Sequence, residues 1–509
     1  MNKRIFNIHA ASLLRNSTYR MTGFMMSILF MLLFTPYFVK ILGPEQYGLW
    51  AISISVLGFA GMLDWGIGTA VTKYVSHYLS LGNPQKLAEC ILASTIIYLF
   101  LGTCGTIFLW IFAPQVVSRF AMSPVLVPIG IKILRITALG ILPMFLRNCF
   151  LAVPMGFQKY GFSTAITLTK ELVGMGGMAF ILWLGGRLIG VVSWMVIVSV
   201  GIALITIIIG LSMIKSADAL MLSFRKDAFV EIIRFAIYSG TTGVGSRIFN
   251  ILDRIIVGIL LNTSMVTYYV IPISLANKLR GIISNISHVF MPRASSLQAK
   301  CDYDKIRSLF LKSHKLMAYV LFGLTCVLFI VSKPLLLLWL GPDFVLHSLT
   351  PLRILLVAYA FISLAAPSFY FANGLGMPWI NAFSSVLGGM LSIGFMWFIG
   401  RYGLDYFAWA NWGFIIVLLI PAVIMKKIGF RIFHDSLNII SRPLGVFIIL
   451  VGGFLFFEDH ISPWLWAGMA IIIYILIIFH DCRQIIKRFL NKAPYFKDLF
   501  RLQGQLEKP

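Results

Sequence analysis

Charged side chains are scarce in this sequence. Only 12% of its 509 residues are Asp, Glu, Lys or Arg, and just 18 residues are acidic. A soluble chain carries about twice this share of charge, so the composition excludes a string of ordinary soluble domains. Hydrophobic residues make up 59% of the chain, and the mean hydropathy is +0.91. They fall in blocks long enough to cross a bilayer, which takes roughly 20 residues each.

Cysteine is also sparse and scattered. No Cys-x-x-Cys pair occurs and no cysteine has an adjacent histidine, so neither a disulfide framework nor a metal site is expected. The six residues are Cys90, Cys104, Cys149, Cys301, Cys326 and Cys482. The net charge of +24 does not indicate a nucleic-acid partner, because the basic residues form short strips between apolar blocks rather than a soluble basic domain.

Fourteen apolar segments predict an all-α polytopic membrane protein. The basic start leads into an apolar stretch that runs on to Val39 without a small-residue cleavage site, which indicates a first membrane helix rather than a signal peptide. The thirteenth segment is the shortest. The predicted spans are residues 17–40, 47–71, 88–112, 126–150, 161–184, 188–212, 231–261, 266–290, 309–332, 351–373, 378–400, 404–425, 443–457 and 463–480.

The basic strips give this topology an orientation. With Arg147 counted in the fourth connection, 29 of the 42 lysines and arginines fall on one side of the membrane and 5 on the other. Loops rich in Lys and Arg stay in the cytoplasm, so both termini are expected there. An odd number of spans would be inconsistent with this distribution of basic residues, so the distribution favours an even number of spans.

The two halves of the chain resemble each other. Gln85-Lys86-Leu87 opens a span in the first half, and Asp304-Lys305-Ile306 precedes the corresponding span in the second. Each half holds six spans, which predicts two six-helix lobes around a central cavity, followed by two extra C-terminal helices. The expected parts are an N-terminal lobe at 1–214, a cytoplasmic linker at 215–230, a C-terminal lobe at 231–425, extra helices within 426–480 and a basic tail at 481–509.

Basic residues within the spans suggest a binding site. A charge inside a bilayer usually faces a partner or an aqueous cavity. Arg247, Asn250 and Arg254 share one face of the seventh span. Further members of this set are Lys132 and Arg135 in span four, Lys170 in span five, and Lys278 and Arg280 in span eight. An excess of positive charge suits an anion, and the guanidinium fork of arginine matches the oxygens of a pyrophosphate.

Three acidic residues also lie within spans. Asp64, Glu171 and Asp253 are candidates for coupling to H⁺ or Na⁺, and no other cofactor is expected. A structural reading stays open for each. Lys170-Glu171 and Asp253-Arg254 are adjacent pairs that would neutralise local helix contacts, and Asp64 would serve equally well in a hydrogen bond.

No enzyme signature is found. The segment from Gly240 to Arg247 resembles a phosphate loop, but it has no lysine and lies inside a span, so close helix packing is the better interpretation. A membrane glycan polymerase or ligase is an alternative function, but it would need a large outward catalytic loop that the sequence does not show. The tail after Cys482 mixes apolar and basic residues and is expected to lie on anionic membrane lipids.

Three motifs resemble one family of transporters. They are Ile41-Leu-Gly-Pro-Glu-Gln-Tyr47-Gly-Leu-Trp50, Leu63-Asp64-Trp65-Gly66-Ile67-Gly68, and Leu252-Asp253-Arg254-Ile255-Ile256-Val257-Gly258. Between residues 15 and 425 the chain is similar to the bacterial polysaccharide-export flippases, which transport O-antigen and other lipid-linked oligosaccharides. These belong to the superfamily that also holds multidrug antiporters and the lipid II flippase.

The resemblance implies a substrate and a site. The expected substrate is an undecaprenyl-pyrophosphate-linked glycan, flipped across the bacterial inner membrane by alternating access. A complex with glycan polymerase machinery is a further expected partner. Family cavities are lined from spans one, two, seven and eight, and the matching positions here are Arg20, Asp64, Arg247, Asp253, Arg254, Lys278 and Arg280. Lipid II or a cationic drug are alternative substrates on the same fold. A drug site should be rich in acidic and aromatic residues, whereas this set is basic.

Overall fold

The computed structural model describes the backbone of residues 2–64, 66–219, 225–427, 429, 432–458 and 460–491. Within these ranges, the side chains of residues 2–20, 238–250, 432–438, 479 and 482–491 are left out of the description. The described backbone consists of helices and short connections, and it contains no β-strand. The predicted all-α class is therefore confirmed.

Seven α-helices account for the first six predicted spans. Helix α1 covers the first span and part of the second. The second span then bends through a short 3-10 turn, Gly61–Asp64, into α2, and the fourth span is divided between α4 and α5. The helices are α1 (Asn2–Ala60), α2 (Ile67–Ser80), α3 (Pro84–Val117), α4 (Leu126–Leu139), α5 (Ile141–Gly156), α6 (Tyr160–Trp183) and α7 (Leu188–Lys215).

Twelve further α-helices account for the remaining eight spans. Short helices extend or break several of them, and 3-10 turns at Gly400–Tyr402 and Asn411–Leu418 flank α16. The helices are α8 (Lys226–Leu260), α9 (Thr263–Ser287), α10 (Phe290–Gln298), α11 (Tyr303–Ile330), α12 (Ser332–Leu340), α13 (Pro342–Ser363), α14 (Ala366–Gly374), α15 (Pro378–Ile399), α16 (Leu404–Ala410), α17 (Leu419–Lys427), α18 (Ile432–Phe456) and α19 (Pro463–Asn491).

Helix lengths and apolarity support membrane insertion. In the described part of the chain, ten segments are long and apolar enough to cross a bilayer, and Pro463–Ile478 is a shorter apolar helix. One of the ten, Met21–Asp64, is 44 residues long and overlaps the first two predicted spans. A helical segment coincides with each of the fourteen predicted spans. The protein is a multi-pass membrane protein.

Two glycines in α1 allow a sharp turn in the helix and a close contact with the start of α9. Gly43 has φ +73°, a left-handed conformation that favours glycine, and it separates two helical segments. Five residues later, a Cβ atom on Gly48 would lie 1.8 Å from the Thr263 carbonyl oxygen. Thr267 also donates a hydrogen bond to the Pro44 carbonyl over 2.5 Å. The first family-like motif is therefore the surface on which the start of α9 packs.

The chain forms two compact units. One contains Tyr19–Ser274 and Ala382–Ile416, and the other contains Met1–Thr18, Leu275–Asn381 and Val417–Pro509. Their boundaries divide α9 between the two units. The lobe limits expected from the sequence stay a prediction.

The first of these units has its core between α2, α3, α5 and the start of α8. Fully buried Val75, Phe145 and Val153 belong to this apolar cluster, and Ile232 brings α8 into it. The core of the other unit surrounds α11. Phe322 packs there with Phe447 of α18, and Tyr474 of α19 lies in the same cluster. The last two spans are therefore built into the second unit's core by apolar burial.

Candidate functional site

The seventh span carries a buried polar chain that begins at Asp253. This carboxylate is only 1% exposed. One oxygen accepts a hydrogen bond from the Arg254 backbone N–H over 2.7 Å, and the other accepts one from the Tyr269 hydroxyl over 3.4 Å. Asn411 donates to the Tyr269 oxygen over 3.1 Å and to the Phe407 carbonyl over 3.2 Å. These hydrogen bonds therefore connect α8 to α9 and to the 3-10 turn after α16.

Asp253 and Arg254 do not form the local ion pair that their adjacency allowed. Only the backbone N–H of Arg254 contacts the carboxylate, because neighbouring side chains on a helix point about 100° apart. The Nε atom of Arg254 is buried without a hydrogen-bond partner in the described structure. Its charge lies within electrostatic range of Tyr47 in α1, whose hydroxyl bonds to Thr35. Arg254 is thus a half-buried cation beside an aromatic side chain.

A second basic site involves a residue that the sequence analysis placed in a loop. Helix α5 continues to Gly156 instead of ending near residue 150, so the prediction that Arg147 lies in the fourth connection was wrong. Arg147 precedes the end of α5 by nine residues, and Lys170 follows the start of α6 by ten. At 1.5 Å per residue, both lie about 14 Å from the connection, at the same depth.

Arg147 and Lys170, the basic pair, lack a carboxylate partner. Arg147 donates to the neighbouring Asn148 side chain over 2.9 Å, while its Nε is buried and unpaired in the described structure. Lys170 is within electrostatic range of Arg147 and of Glu171. No ion pair within 4.0 Å involves either cation among the described side chains. Two like charges held together in this way favour binding of an anion.

The surroundings of Lys170 are partly polar. It lines a pocket between α1, α4, α6 and α7, which also includes Ser53, Thr137 and Ser199. The Thr137 hydroxyl is buried without a partner in the described structure. The signal that would have placed Arg147 correctly is the apolar run on both sides of it, which continues from Ile141 to Gly156 with one charge.

Three of the other predicted site residues have described side chains. Arg135 lies over the ring of Trp110, 5.8 Å from its centroid, and its Nε is also unpaired in the described structure. Lys278 and Arg280 are half-buried on α9. Since they are two residues apart, they do not share a helix face. The side chains of Arg20, Arg247 and Asn250 lie outside the described residues. The assembly of these groups into one wall stays a prediction.

Asp64 has well-defined local partners. Its carboxylate accepts hydrogen bonds from the Tyr98 hydroxyl and, over 3.2 Å, from the Gly68 backbone N–H. It therefore lies at the start of α2, just after the bend in the second span. A carboxylate at a helix N-terminus satisfies a backbone donor and interacts favourably with the helix dipole. This geometry supports the structural reading of Asp64.

Comparison with known proteins defines the class. The model of one family, described as polysaccharide biosynthesis protein, matches residues 38–346. A candidate O-antigen transporter of Shigella flexneri is 23% identical over 376 residues, which are 73% of this chain and 87% of that protein. EpsK, an uncharacterised membrane protein of Bacillus subtilis, is 22% identical over 393 residues, which are 74% of this chain and 75% of that protein.

Solved structures show the same fold. The lipid II flippase MurJ, in an inward closed conformation, has a TM-score of 0.71 at 15% identity, with 92% of this chain and 99% of MurJ covered. An inward-facing multidrug resistance MATE family transporter of the MOP superfamily has a TM-score of 0.69 at 14% identity, with 82% and 99% covered.

The fold is thus that of the transporter superfamily expected from the three motifs. The Shigella flexneri relative and both solved structures are described as transporters or flippases rather than enzymes. The family match covers more than half of the chain. This chain belongs to the polysaccharide biosynthesis protein family.

Proposed function

We propose that this protein is a flippase that moves undecaprenyl-pyrophosphate-linked oligosaccharide from the cytoplasmic to the periplasmic leaflet by alternating access. Its family and its O-antigen transporter relative support a role in lipid-linked glycan transport. The observation that carries the proposal is the basic pair at membrane depth, Arg147 and Lys170, which has no described carboxylate partner.

The chemistry of this pair suits a pyrophosphate. A buried cation without a counter-ion costs several kcal/mol. A diphosphate would remove that cost, because the arginine fork bonds two of its oxygens while the lysine ammonium adds a compact charge. Arg254 would supply a further cation on α8. The residues proposed from sequence to bind the same anion are Arg20, Arg135, Arg247, Asn250, Lys278 and Arg280.

Transport by this protein can be measured directly. Proteoliposomes would be loaded with an undecaprenyl-pyrophosphate-linked oligosaccharide, and its appearance in the opposite leaflet would be followed with a lectin. Arg147→Ala and Lys170→Ala should each reduce the initial rate at least tenfold. Lys333→Ala is the matched control, since this basic residue is exposed and has no place in the proposed site. Normal rates in both Ala variants would contradict the assignment of the pair to the substrate.

Lipid II is the second candidate substrate. It is favoured by the match to MurJ, which covers 92% of this chain. A competition assay separates the two. Excess lipid II should leave transport of the oligosaccharide unchanged if our proposal holds, and it should inhibit transport if lipid II is the substrate.

We propose Asp253 as the residue that couples transport to H⁺ or Na⁺. Asp64 is engaged by Tyr98 and Gly68, and Glu171 is next to Lys170. Asp253 is buried, and the side chain that donates to it is the Tyr269 hydroxyl, 3.4 Å away. The carboxylate can therefore still bind a cation. Asp253→Asn should abolish stimulation by an imposed gradient while substrate binding stays intact. The control is Asp64→Asn, which should retain that stimulation; equal stimulation in both variants would exclude the coupling role.

The proposed setting is the bacterial inner membrane, with both termini in the cytoplasm. The basic tail would contact anionic lipids, and a complex with glycan polymerase machinery would receive the flipped substrate. Co-purification with a membrane glycan polymerase would test the last point.

A further inference from the structure

An apolar groove runs between α3 and α8 in the first compact unit. Its volume is about 530 Å³. Its walls are formed only by apolar side chains: Ile67, Ile96, Ile97, Phe100, Leu101, Phe229, Ile233, Ala236 and Ile237. Phe100 is 67% exposed and Ile237 is 53% exposed, so the groove is open along its side. None of these residues belongs to the proposed substrate site.

Basic side chains lie at one end of this groove. Lys226 precedes Phe229 by three residues and Ile233 by seven, which places it on the same face of α8. Arg225 caps the start of that helix and is exposed. On α3, the exposed Lys86 lies in the first turn, on the side of Glu89. The end of the groove thus presents three cations at the starts of two helices.

Three acidic residues share this region. Glu231 is two residues from Phe229, on the opposite side of α8, and accepts a hydrogen bond from Tyr78 over 2.9 Å. The Lys86 ammonium lies 5.9 Å from the centre of that tyrosine ring.

Glu89 is 5% exposed, and its carboxylate pairs with Arg225 over 3.6 Å and accepts from the Gln85 amide over 3.2 Å. Asp227 is two residues from Phe229, so it points to the opposite side of α8. The accessible positive charge at the end of the groove therefore comes from Lys86, from Lys226 and from the part of the Arg225 guanidinium that does not contact Glu89.

The size of the groove indicates what fills it. From Phe229 to Ile237 the wall is about 12 Å long. It is apolar along this length and ends at exposed basic side chains, which matches the two parts of a phospholipid. An extended hydrocarbon chain fits along this wall, and it would cover apolar side chains with apolar atoms.

We propose that the groove binds one anionic phospholipid, with an acyl chain between α3 and α8 and its phosphate on Lys226 and Lys86. The bound chain holds the first turns of α8 against α3. The phosphate takes the place that water and counter-ions occupy around exposed ammonium groups near a membrane surface.

The test uses the purified full-length chain in detergent, stripped of lipid and then mixed with dioleoyl phosphatidylglycerol or dioleoyl phosphatidylcholine. Native mass spectrometry counts the retained lipids. We expect one tightly retained phosphatidylglycerol and at least a fivefold preference over phosphatidylcholine. Ile237→Trp, which fills the groove, should lower phosphatidylglycerol occupancy at least fivefold. Lys226→Gln should lower the preference while phosphatidylcholine retention stays unchanged.

Matched controls make the result specific. Ile208→Trp adds the same side chain to an exposed position of α7 that does not line the groove, and it should leave occupancy unchanged. Lys300→Gln removes an exposed charge elsewhere and should do the same. If Ile237→Trp fails to fold, Ile96→Trp fills the groove from its other wall.

Three outcomes would overturn the proposal. Wild-type occupancy in both groove-filling variants would show that the chain lies elsewhere, and equal retention of phosphatidylcholine would remove the role of the basic residues. Displacement of phosphatidylglycerol by undecaprenyl phosphate would assign the groove to the substrate chain. The experiment measures binding only, so its outcome is independent of the proposed transport function.

Discussion

Arg353 donates from its Nη2 atom to the Glu458 carboxylate over 2.7 Å and so joins α13 to the turn between α18 and α19. The same guanidinium donates to the Ser332 hydroxyl over 3.1 Å and lies over the ring of Phe329. Arg353 lies near the end of a predicted span, where its side chain could extend toward water. Instead it contacts a carboxylate, a hydroxyl group and an aromatic ring. Arg147 and Arg254 have no such carboxylate among the described residues, and this contrast is the reason for proposing them as substrate contacts.

Removal of the Arg353–Glu458 pair should therefore reduce stability and spare transport. We expect Arg353→Ala to cost about 2 kcal/mol, between the values for exposed and fully buried pairs. Thermal unfolding in detergent measures this loss, and Glu458→Gln should show a similar one. A double variant no worse than either single variant would demonstrate direct coupling. A transport defect per folded molecule would contradict a purely structural role.

The shape of the guanidinium should matter at Arg147 and at Arg247. Arg→Lys keeps the charge but loses the two-pronged donor, so affinity for pyrophosphate should fall about tenfold at each position. Binding of the lipid-linked oligosaccharide and of a monophosphate analogue would be compared by microscale thermophoresis. The monophosphate should bind both variants almost as well as the wild type. An equal loss for the two ligands would indicate a merely positive cavity.

Asp481 should make stability depend on pH. Burial raises the pKa of its carboxyl, but hydrogen bonds from Tyr319, His480 and Arg442 and the charge of Lys315 outweigh this and hold the pKa well below its usual value. A depressed pKa stabilises the folded state above the unfolded pKa of about 3.9, and this contribution is lost as the pH falls below it.

The midpoint temperature of thermal unfolding of the wild type should therefore decrease as the pH is lowered from about 5 to about 3, because of this carboxyl group. Asp481→Asn should unfold a few degrees lower at pH 7 and show a weaker dependence in that window. Asp343→Asn is a suitable control, because its carboxylate is 59% exposed and lies 3.4 Å from His347. An unchanged pH profile in Asp481→Asn would refute the linkage.

The orientation can be tested with single cysteines in a cysteine-free background. We expect a membrane-impermeant maleimide to label His347→Cys in intact cells, since the region from Ser332 to Thr350 is expected to be periplasmic. Lys497→Cys should react only after lysis; this position lies outside the described residues. Labelling of Lys497→Cys from outside would overturn the positive-inside assignment.

The sequence alone determined that the chain is helical and spans the membrane. Runs of apolar residues leave few other ways to satisfy backbone hydrogen bonds in lipid, so the all-α membrane fold followed from composition and spacing. The three motifs also indicate the superfamily without knowledge of the fold. Gly43 and Gly48 show why one motif is recognisable, because a left-handed φ and a close backbone contact restrict both positions to glycine.

Only the tertiary structure decided which charged groups are partnered. Arg353 and Glu458 are 105 residues apart, and Arg147 lies within electrostatic range of Lys170 because a short connection joins α5 to α6. Sequence showed Asp253 beside Arg254, but the fold turned the carboxylate toward Tyr269. Local spacing fixes the face of a helix on which a side chain lies, whereas long-range packing fixes what that face meets.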